Sequence, residues 1–370
     1  MRAITEKRKA TKWDWAPWIV LPILVFGLVE ALVRTTTDRI PLWYGAAERV
    51  AERDRVDVIF VGSSRVLAAT LTEAFSETVA LRTGYRPRTL NLGRGYTTLI
   101  EHYLGLRNLL LTHPRSVKGV TVFIEAPGGL GFADHWHDAW VNQQYQLLVD
   151  LLRFSDVLDF WRLGGDNIWT KLRVTARFFM RQCALVNRRE RIRELWLNQL
   201  IPALLEGRTP SLASVDEVGK DLQGPQHATN IRSDDQALRN ARALAQRYGA
   251  EFEHSTVPTR VWAGSVMEDL VRLLQRVDGQ LVFFVPPESE VFRRGYRTPL
   301  RQEELAIFAE QVRKWGACLV KPAFKYTDED LPDLWHLRIE LASAFTQMVA
   351  EEWLAKCESR NLVRTIRVSQ

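Results

Sequence analysis

Cysteine is scarce in this 370-residue chain and does not cluster. Cys183, Cys318 and Cys357 lie far apart and show none of the short spacings that mark a cysteine metal centre. The net charge of +6 is modest, and no dense Lys/Arg block or nucleic-acid motif accompanies it, so no nucleic-acid partner is read from it. No internal repeat is present, which argues against a solenoid or propeller. With 46% hydrophobic and 25% charged residues the composition is that of an ordinary globular protein with a large core. The length fits one large domain with an insertion, or two domains.

The longest uncharged apolar stretch is at the N-terminus. Residues 15–33 are nearly all apolar, interrupted by Glu30, and are just long enough to cross a hydrocarbon core of roughly 30 Å. Arg2, Lys7, Arg8, Lys9 and Lys12 precede the stretch, while Arg34 and Arg39 follow it closely. The positive-inside rule then keeps a basic tail, residues 1–14, in the cytoplasm and exports the bulk of the chain. Trp13, Trp15, Trp18, Trp43 and Tyr44 are placed to form interfacial aromatic belts. Two other readings compete. A cleaved signal peptide would need a small-x-small site before Arg34, and none is evident. A buried amphipathic helix would need a polar face, and the segment is apolar all round. The expectation is a single anchor, residues 15–33, in the inner (cytoplasmic) membrane, followed by a juxtamembrane linker or helix, residues 34–56.

Beyond the anchor, strands and helices alternate. Val58–Val61, Thr89–Gly93 and Val117–Ala126 read as strands. Ile40–Arg55, Val66–Leu81 and about Leu99–Leu111 read as helices. From about residue 130 to 262 the pattern is helical or loop with no clear strand, notably His137–Phe154, Trp169–Cys183 and Arg188–Leu205. A polar loop follows over Gly207–Asp234. The alternation returns with helix Ser265–Val277, strand Leu281–Val285, helix Arg301–Trp315, strand Ala317–Lys321 and helix Leu337–Cys357. This predicts an α/β fold, a doubly wound parallel sheet of about five strands with right-handed crossovers. Its two halves, residues 57–129 and 263–370, flank a large helical insertion, residues 130–262.

Three short segments carry candidate chemistry. Gly62-Ser63-Ser64 ends the first strand and opens a helix at the carboxyl edge of the sheet, where ligands bind in open α/β folds. A hydroxyl there meets unpaired N–H groups and the positive end of a helix dipole. The same residues also suit a plain helix N-cap with a turn glycine. Asp333-Leu-Trp-His336, before the last helix, can supply a general base and the carboxylate that fixes its tautomer. Equally, Asp333 can cap that helix with His336 packed on it. Gly95 lies in the turn after the second strand. Its N–H, with that of Ser64, is a candidate donor to a tetrahedral oxyanion, although turn glycines are common.

These segments resemble the three corresponding blocks of the SGNH (GDSL-like) hydrolase family over about residues 57–127 and 281–354. Gly62-Ser63-Ser64 is similar to the first block, with Ser63 replacing the usual aspartate. Asn91-Leu-Gly-Arg-Gly95 is similar to the second and Asp333-Leu-Trp-His336 to the fifth. The resemblance implies Ser64 as nucleophile, His336 as base, Asp333 as its orienter, and Ser64 and Gly95 as oxyanion donors. Arg65, Asn91, His135 and His137 are further candidates for substrate contact. After the third strand the family has Gly-x-Asn-Asp, where this chain has Glu125-Ala-Pro-Gly-Gly129. An oxyanion donor is therefore missing or comes from the insertion. Membrane-anchored branches, related to the teichoic-acid D-alanyl transfer and alginate O-acetylation proteins, also combine Gly-Ser-Ser with an N-terminal anchor.

In the insertion, Asp134-His-Trp-His-Asp138 has histidines two residues apart with flanking carboxylates, but no partner ligand is evident, so no metal site is read there. His135 and His137 line the substrate cleft or face solvent. Arg173, Arg177, Arg181, Arg188, Arg189, Arg191 and Arg193 alternate with Trp169, Phe178, Phe179 and Trp196. Such a pair of helices suits anionic headgroups or an anionic glycan, or is a solvated face over a small core. The implied activity is an exported serine esterase or O-acyltransferase working through an acyl-enzyme without a cofactor. Its implied partners are a bacterial membrane, an envelope glycan or glycolipid substrate, and a multi-spanning membrane O-acyltransferase. A non-catalytic scaffold that binds glycan or such a membrane partner is the alternative.

Overall fold

A computed structural model describes residues 16–37, 43–95, 97–126, 151–163, 167–182, 265–289, 299–323 and 326–357, with positions 239 and 243. The chain divides into two units, Met1–Ile40 with Leu172–Ala213, and Pro41–Lys171 with Ser214–Gln370. Every described residue of the candidate site lies in the second unit.

Five short segments form the parallel sheet: β1 (Val58–Val61), β2 (Thr89–Asn91), β3 (Thr121–Glu125), β4 (Gln280–Phe284) and β5 (Cys318–Val320). Their spatial order is β2-β1-β3-β4-β5. β1 to β4 are buried along nearly their whole length, which is why they read as continuous apolar runs rather than alternating ones. The path from β1 to β2 runs one way across the sheet, and the path from β2 to β3 runs back past β1. Right-handed crossovers then put the connecting helices on opposite faces. The neighbours Phe283 and Phe284 report the same alternation. The Phe283 ring meets Phe308 of one helix, Pro299–Lys314, and the Phe284 ring meets Phe345 of another, Ile339–Lys356. The α/β class expected from the sequence is observed.

The first connection departs from the expected single helix over Val66–Leu81. It is broken into α3 (Ser64–Ala69) and α4 (Thr72–Thr83) by Thr70 and Leu71, both in extended conformation. The break is sustained by side chains that take over the freed backbone groups. Asn91 Nδ2 donates to Thr70 O at 2.9 Å, and Leu71 N–H donates to Thr346 Oγ1 at 3.0 Å. Around this corner the core is dense with aromatic rings. Phe60 stacks on Phe123 at 4.6 Å, and Phe75 lies 5.6 Å from Trp353.

Before the sheet come α1 (Ala16–Thr37) and α2 (Trp43–Arg53). Among the described residues no helix is long and apolar enough to cross a membrane. The side chains described on α1 run from Val20 to Ala31, and its large apolar ones are exposed, Leu28 to 72%. Tyr44, expected in an aromatic belt, is instead 2% exposed, because its hydroxyl reaches the ring of His102 in α5 (Leu99–Thr112).

Within residues 130–262 the described elements are α6 (Phe154–Leu163) and α7 (Ile168–Gln182), with no strand among the described residues. On α7, Val174 and Phe178 are buried, while Trp169 and Arg173 are exposed. Of the expected helix over His137–Phe154, residues 137–150 lie outside the described residues, and Leu152 and Arg153 are not helical, a new helix starting at Phe154. The expected helix over 188–205, the polar loop over 207–234, and residues Arg188 to Arg193 also lie outside the described residues. The second half of the sheet is completed by α8 (Val266–Gln275), α9 (Pro299–Lys314) and α10 (Ile339–Lys356). Cys318 and Cys357, read from the sequence as isolated, form a disulfide with a Cα–Cα distance of 5.8 Å. It joins edge strand β5 to the end of α10.

Candidate active site

Parallel pairing continues past the ends of β1 and β2 and lays their two turns side by side. Leu92 N–H donates to Phe60 O at 2.7 Å and Arg94 N–H to Gly62 O at 2.9 Å, which carries the 92–95 turn along Gly62–Ser64. Gly95 comes so close that a Cβ on it would sit 3.6 Å from Ser64 Cβ. Gly62 has φ +157°, and a Cβ there would fall 2.8 Å from Glu125 Oε2 and 2.3 Å from Val66 Cγ2. Only glycine fits that position. The turn delivers Ser63 as N-cap, its Oγ accepting Arg65 N–H at 3.2 Å, and Ser64 as the first residue of α3. The Ser64 N–H is thus one of those for which a helix has no internal acceptor.

Far along the chain, the segment after β5 returns to the same edge. A 3₁₀ turn at Asp328–Asp330 leads into residues 333–336, where Leu334 adopts φ +65°, a left-handed conformation uncommon for leucine. Leu334 is 1% exposed, so burial of its side chain helps hold the strained turn. The fold-back lets Asp333 Oδ1 accept the N–H groups of His336 at 2.8 Å and Trp335 at 3.0 Å, while Oδ2 meets His336 Nδ1 at 2.5 Å. His336 Nε2 lies 2.8 Å from Ser64 Oγ. Two residues 272 positions apart are therefore in hydrogen-bond contact.

The chain Asp333–His336–Ser64 assigns the protons. A carboxylate only accepts, so Nδ1 carries the hydrogen, and in the neutral imidazole Nε2 then presents its lone pair to the serine hydroxyl. Burial pushes the Asp333 carboxyl up, but the bonds from the His336 ring and the two N–H groups outweigh it and hold the group below the ordinary carboxylate value. The arrangement keeps Asp333 ionised and His336 oriented to take a proton from Ser64.

The remaining sequence candidates sit elsewhere. Asn91, 3% exposed, spends its amide on the α3–α4 break and accepts Gly93 N–H at 2.9 Å. Arg65, 6% exposed, turns away from the cleft toward Glu125 and Glu288. Both therefore shape the site from beneath its surface. His135 and His137, and residues 127–129 of the third-block segment, lie outside the described residues. Among the described residues no group of His, Cys, Asp and Glu side chains could hold a metal ion.

Sequence reasoning missed two buried groups that support the turn. Glu125, at the end of β3, accepts Ser63 N–H at 2.8 Å on Oε2 and Arg65 Nε–H at 2.8 Å on Oε1. A carboxylate ending an apolar strand was the available signal. His102 is fully buried, its Nε2 3.1 Å from Gly62 O and 3.0 Å from Thr97 Oγ1, and its Nδ1 3.1 Å from Tyr44 Oη. Its place on the apolar face of α5 was the available signal.

No model of a known protein family matches the chain, and no curated protein matches it.

Proposed function

We propose that the chain is a serine acyl-ester hydrolase or O-acyltransferase of the SGNH type, anchored in the inner membrane by residues 15–33 with its catalytic domain outside the cytoplasm. The observation that carries the chemistry is the hydrogen-bonded chain from Asp333 through His336 to Ser64 at one edge of a parallel sheet. The strand order β2-β1-β3-β4-β5 is that of doubly wound, flavodoxin-like sheets, whose ligand crevice opens where the path reverses, between β1 and β3. Ser64 leaves β1 at that point.

In this reading Ser64 Oγ passes its proton to His336 Nε2 and bonds to the acyl carbon. The oxyanion is held by the N–H groups of Ser64 and Gly95. The C–O bond to the leaving alcohol breaks as His336 returns the proton to it, leaving an acyl-enzyme. Water or a sugar hydroxyl then gives its proton to His336 and attacks the acyl carbon, and Ser64 leaves with the proton restored. Water makes the protein an esterase, and a sugar hydroxyl makes it an O-acyltransferase. A tethered site near a bilayer favours transfer on an envelope glycan or glycolipid, with a multi-spanning membrane acyltransferase as donor partner.

The test is labelling with a fluorophosphonate probe. Wild type is expected to react and Ser64→Ala not to. Failure of wild type to label would favour the second reading, a non-catalytic scaffold that binds glycan or a membrane partner. One feature speaks for that reading: the segment after β3, Glu125-Ala-Pro-Gly-Gly129, lacks the donor asparagine of the family's third block.

Export is supported by the apolar stretch, its basic flank and the Cys318–Cys357 disulfide, since such bonds persist in oxidising compartments. Alkylation of denatured protein from intact cells is expected to leave Cys318 and Cys357 unmodified until reductant is added. Closing a loop of sequence separation 39 is worth about 3–4 kcal/mol on chain-entropy grounds, so Cys318→Ala should lower the denaturation midpoint accordingly. Freely alkylated Cys318 and Cys357 would refute an oxidising location.

A further inference from the structure

The residues on either side of Ser64 are tied to one carboxylate. Ser63 N–H donates to Glu125 Oε2 at 2.8 Å. Arg65, on the other side, donates Nε–H to Oε1 at 2.8 Å and also engages Oε1 through Nη2. Glu125 is fully buried, and the turn is seated on it so closely that Gly62 has no room for a Cβ. The third guanidinium nitrogen, Arg65 Nη1, donates to Glu288 Oε1 at 3.1 Å in the loop after β4. The ends of β1, β3 and β4 are thereby cross-linked directly beneath the nucleophile.

Resting on the esterase reading, we infer that Glu125 is a positioning residue for Ser64 and that Arg65 is the counter-charge that permits it there. A serine at the start of a helix can swing with its turn. A carboxylate that accepts from the preceding N–H and grips the following side chain fixes the Ser64 Cα, and with it the reach of Oγ to His336 Nε2. The charge needs an answer as well. An uncompensated anion beside an oxyanion hole would oppose the charge that develops in the transition state. The Arg65 guanidinium cancels that field at its source, gripping Oε1 with two nitrogens at once, which arginine suits better than lysine. Glu125 thus gives the β3 terminus a structural task beside the nucleophile.

The experiment measures the rate of Ser64 labelling by a fluorophosphonate, and kcat and KM for p-nitrophenyl acetate, on the full-length protein in detergent. The variants are Glu125→Gln, Arg65→Met and the two combined. Displacing the nucleophile by a fraction of an ångström to about 1 Å should cost about 10- to 100-fold in labelling rate and kcat for Glu125→Gln. KM should move less than about twofold, because substrate contacts are untouched. The double variant removes both charges of the buried Arg65–Glu125 pair and leaves only the partly exposed Glu288, so it should fold even where a single variant does not, and should exceed either single variant in kcat by at least about fivefold. Wild-type rates in Glu125→Gln would overturn the inference and leave the triad standing, as would a double variant no better than the singles. Absence of labelling in wild type would overturn the esterase reading itself, and with it any nucleophile to position.

Discussion

Ser64→Ala and His336→Ala are each expected to lose at least about 10³-fold in turnover while the protein stays folded. The magnitude follows from roles that no neighbour can assume. On the proposed chemistry there is no acyl-enzyme without the hydroxyl, and without the imidazole no other described side chain is hydrogen-bonded to Ser64 Oγ to take its proton. His336 Nε2, at 2.8 Å, is the base in contact, and the other histidine near the turn, His102, is buried with its Nε2 against Gly62 O. Ser64 is half-buried, and removing its hydroxyl forfeits one hydrogen bond, on the order of 1 kcal/mol, too little to unfold a domain with this core. Steady-state hydrolysis of an activated ester, with circular dichroism on the same samples, is the check. Activity equal to wild type in either variant would refute the assignment of that residue.

Acid should destabilise the domain through His102, by up to about 3 kcal/mol. Burial lowers its pKa from 6.5 to about 4, against the opposing influences of Gly62 O and Glu125. Below pH 6.5 the unfolded chain takes up a proton that the folded protein refuses, so stability falls as pH falls. The loss proceeds through the window from about 6.5 to about 4 and ends once the folded imidazole also protonates. The difference of 2.5 pH units (6.5 − 4), at about 1.36 kcal/mol each, sets the ceiling. His102→Gln keeps a donor for Gly62 O but does not titrate. Urea unfolding at pH 7 and pH 4.5 should show the variant less stable than wild type at pH 7, with the gap narrowed or closed at pH 4.5. The same pH slope in both proteins would show that His102 is not the group responsible. The effect should extend to catalysis, since Gly62 immediately precedes the Ser63–Ser64 turn.

The sheet was legible in the sequence because buried parallel strands leave a strong mark, short unbroken apolar runs closed by glycine or polar turns. Ser64, Asp333 and His336 were legible because each stands where such a run or its following loop ends, on the edge where crevices form. What escaped depends on encounters that local pattern does not encode. Glu125 and Arg65 are 60 residues apart, and nothing in either neighbourhood announces the other. Cys318 and Cys357 meet only because α10 runs back along the sheet to its edge strand. The break at Thr70 and Leu71 is invisible in a segment with ordinary helical spacing, since Asn91 and Thr346, both distant, make it affordable. Asn91 itself drew notice as a polar residue at a strand end, and only the fold shows that its amide faces inward.

The 272-position separation of hydroxyl and imidazole also governs when, in the life of the molecule, reactivity can begin. During synthesis from the N-terminus, Ser64 is made well before His336. On the proposed chemistry, a partly translated chain at the membrane displays an alcohol with no partner to activate it. Products stalled before His336 would therefore be inert toward acyl groups in the envelope, and competence arrives only when the 333–336 segment docks beside Ser64.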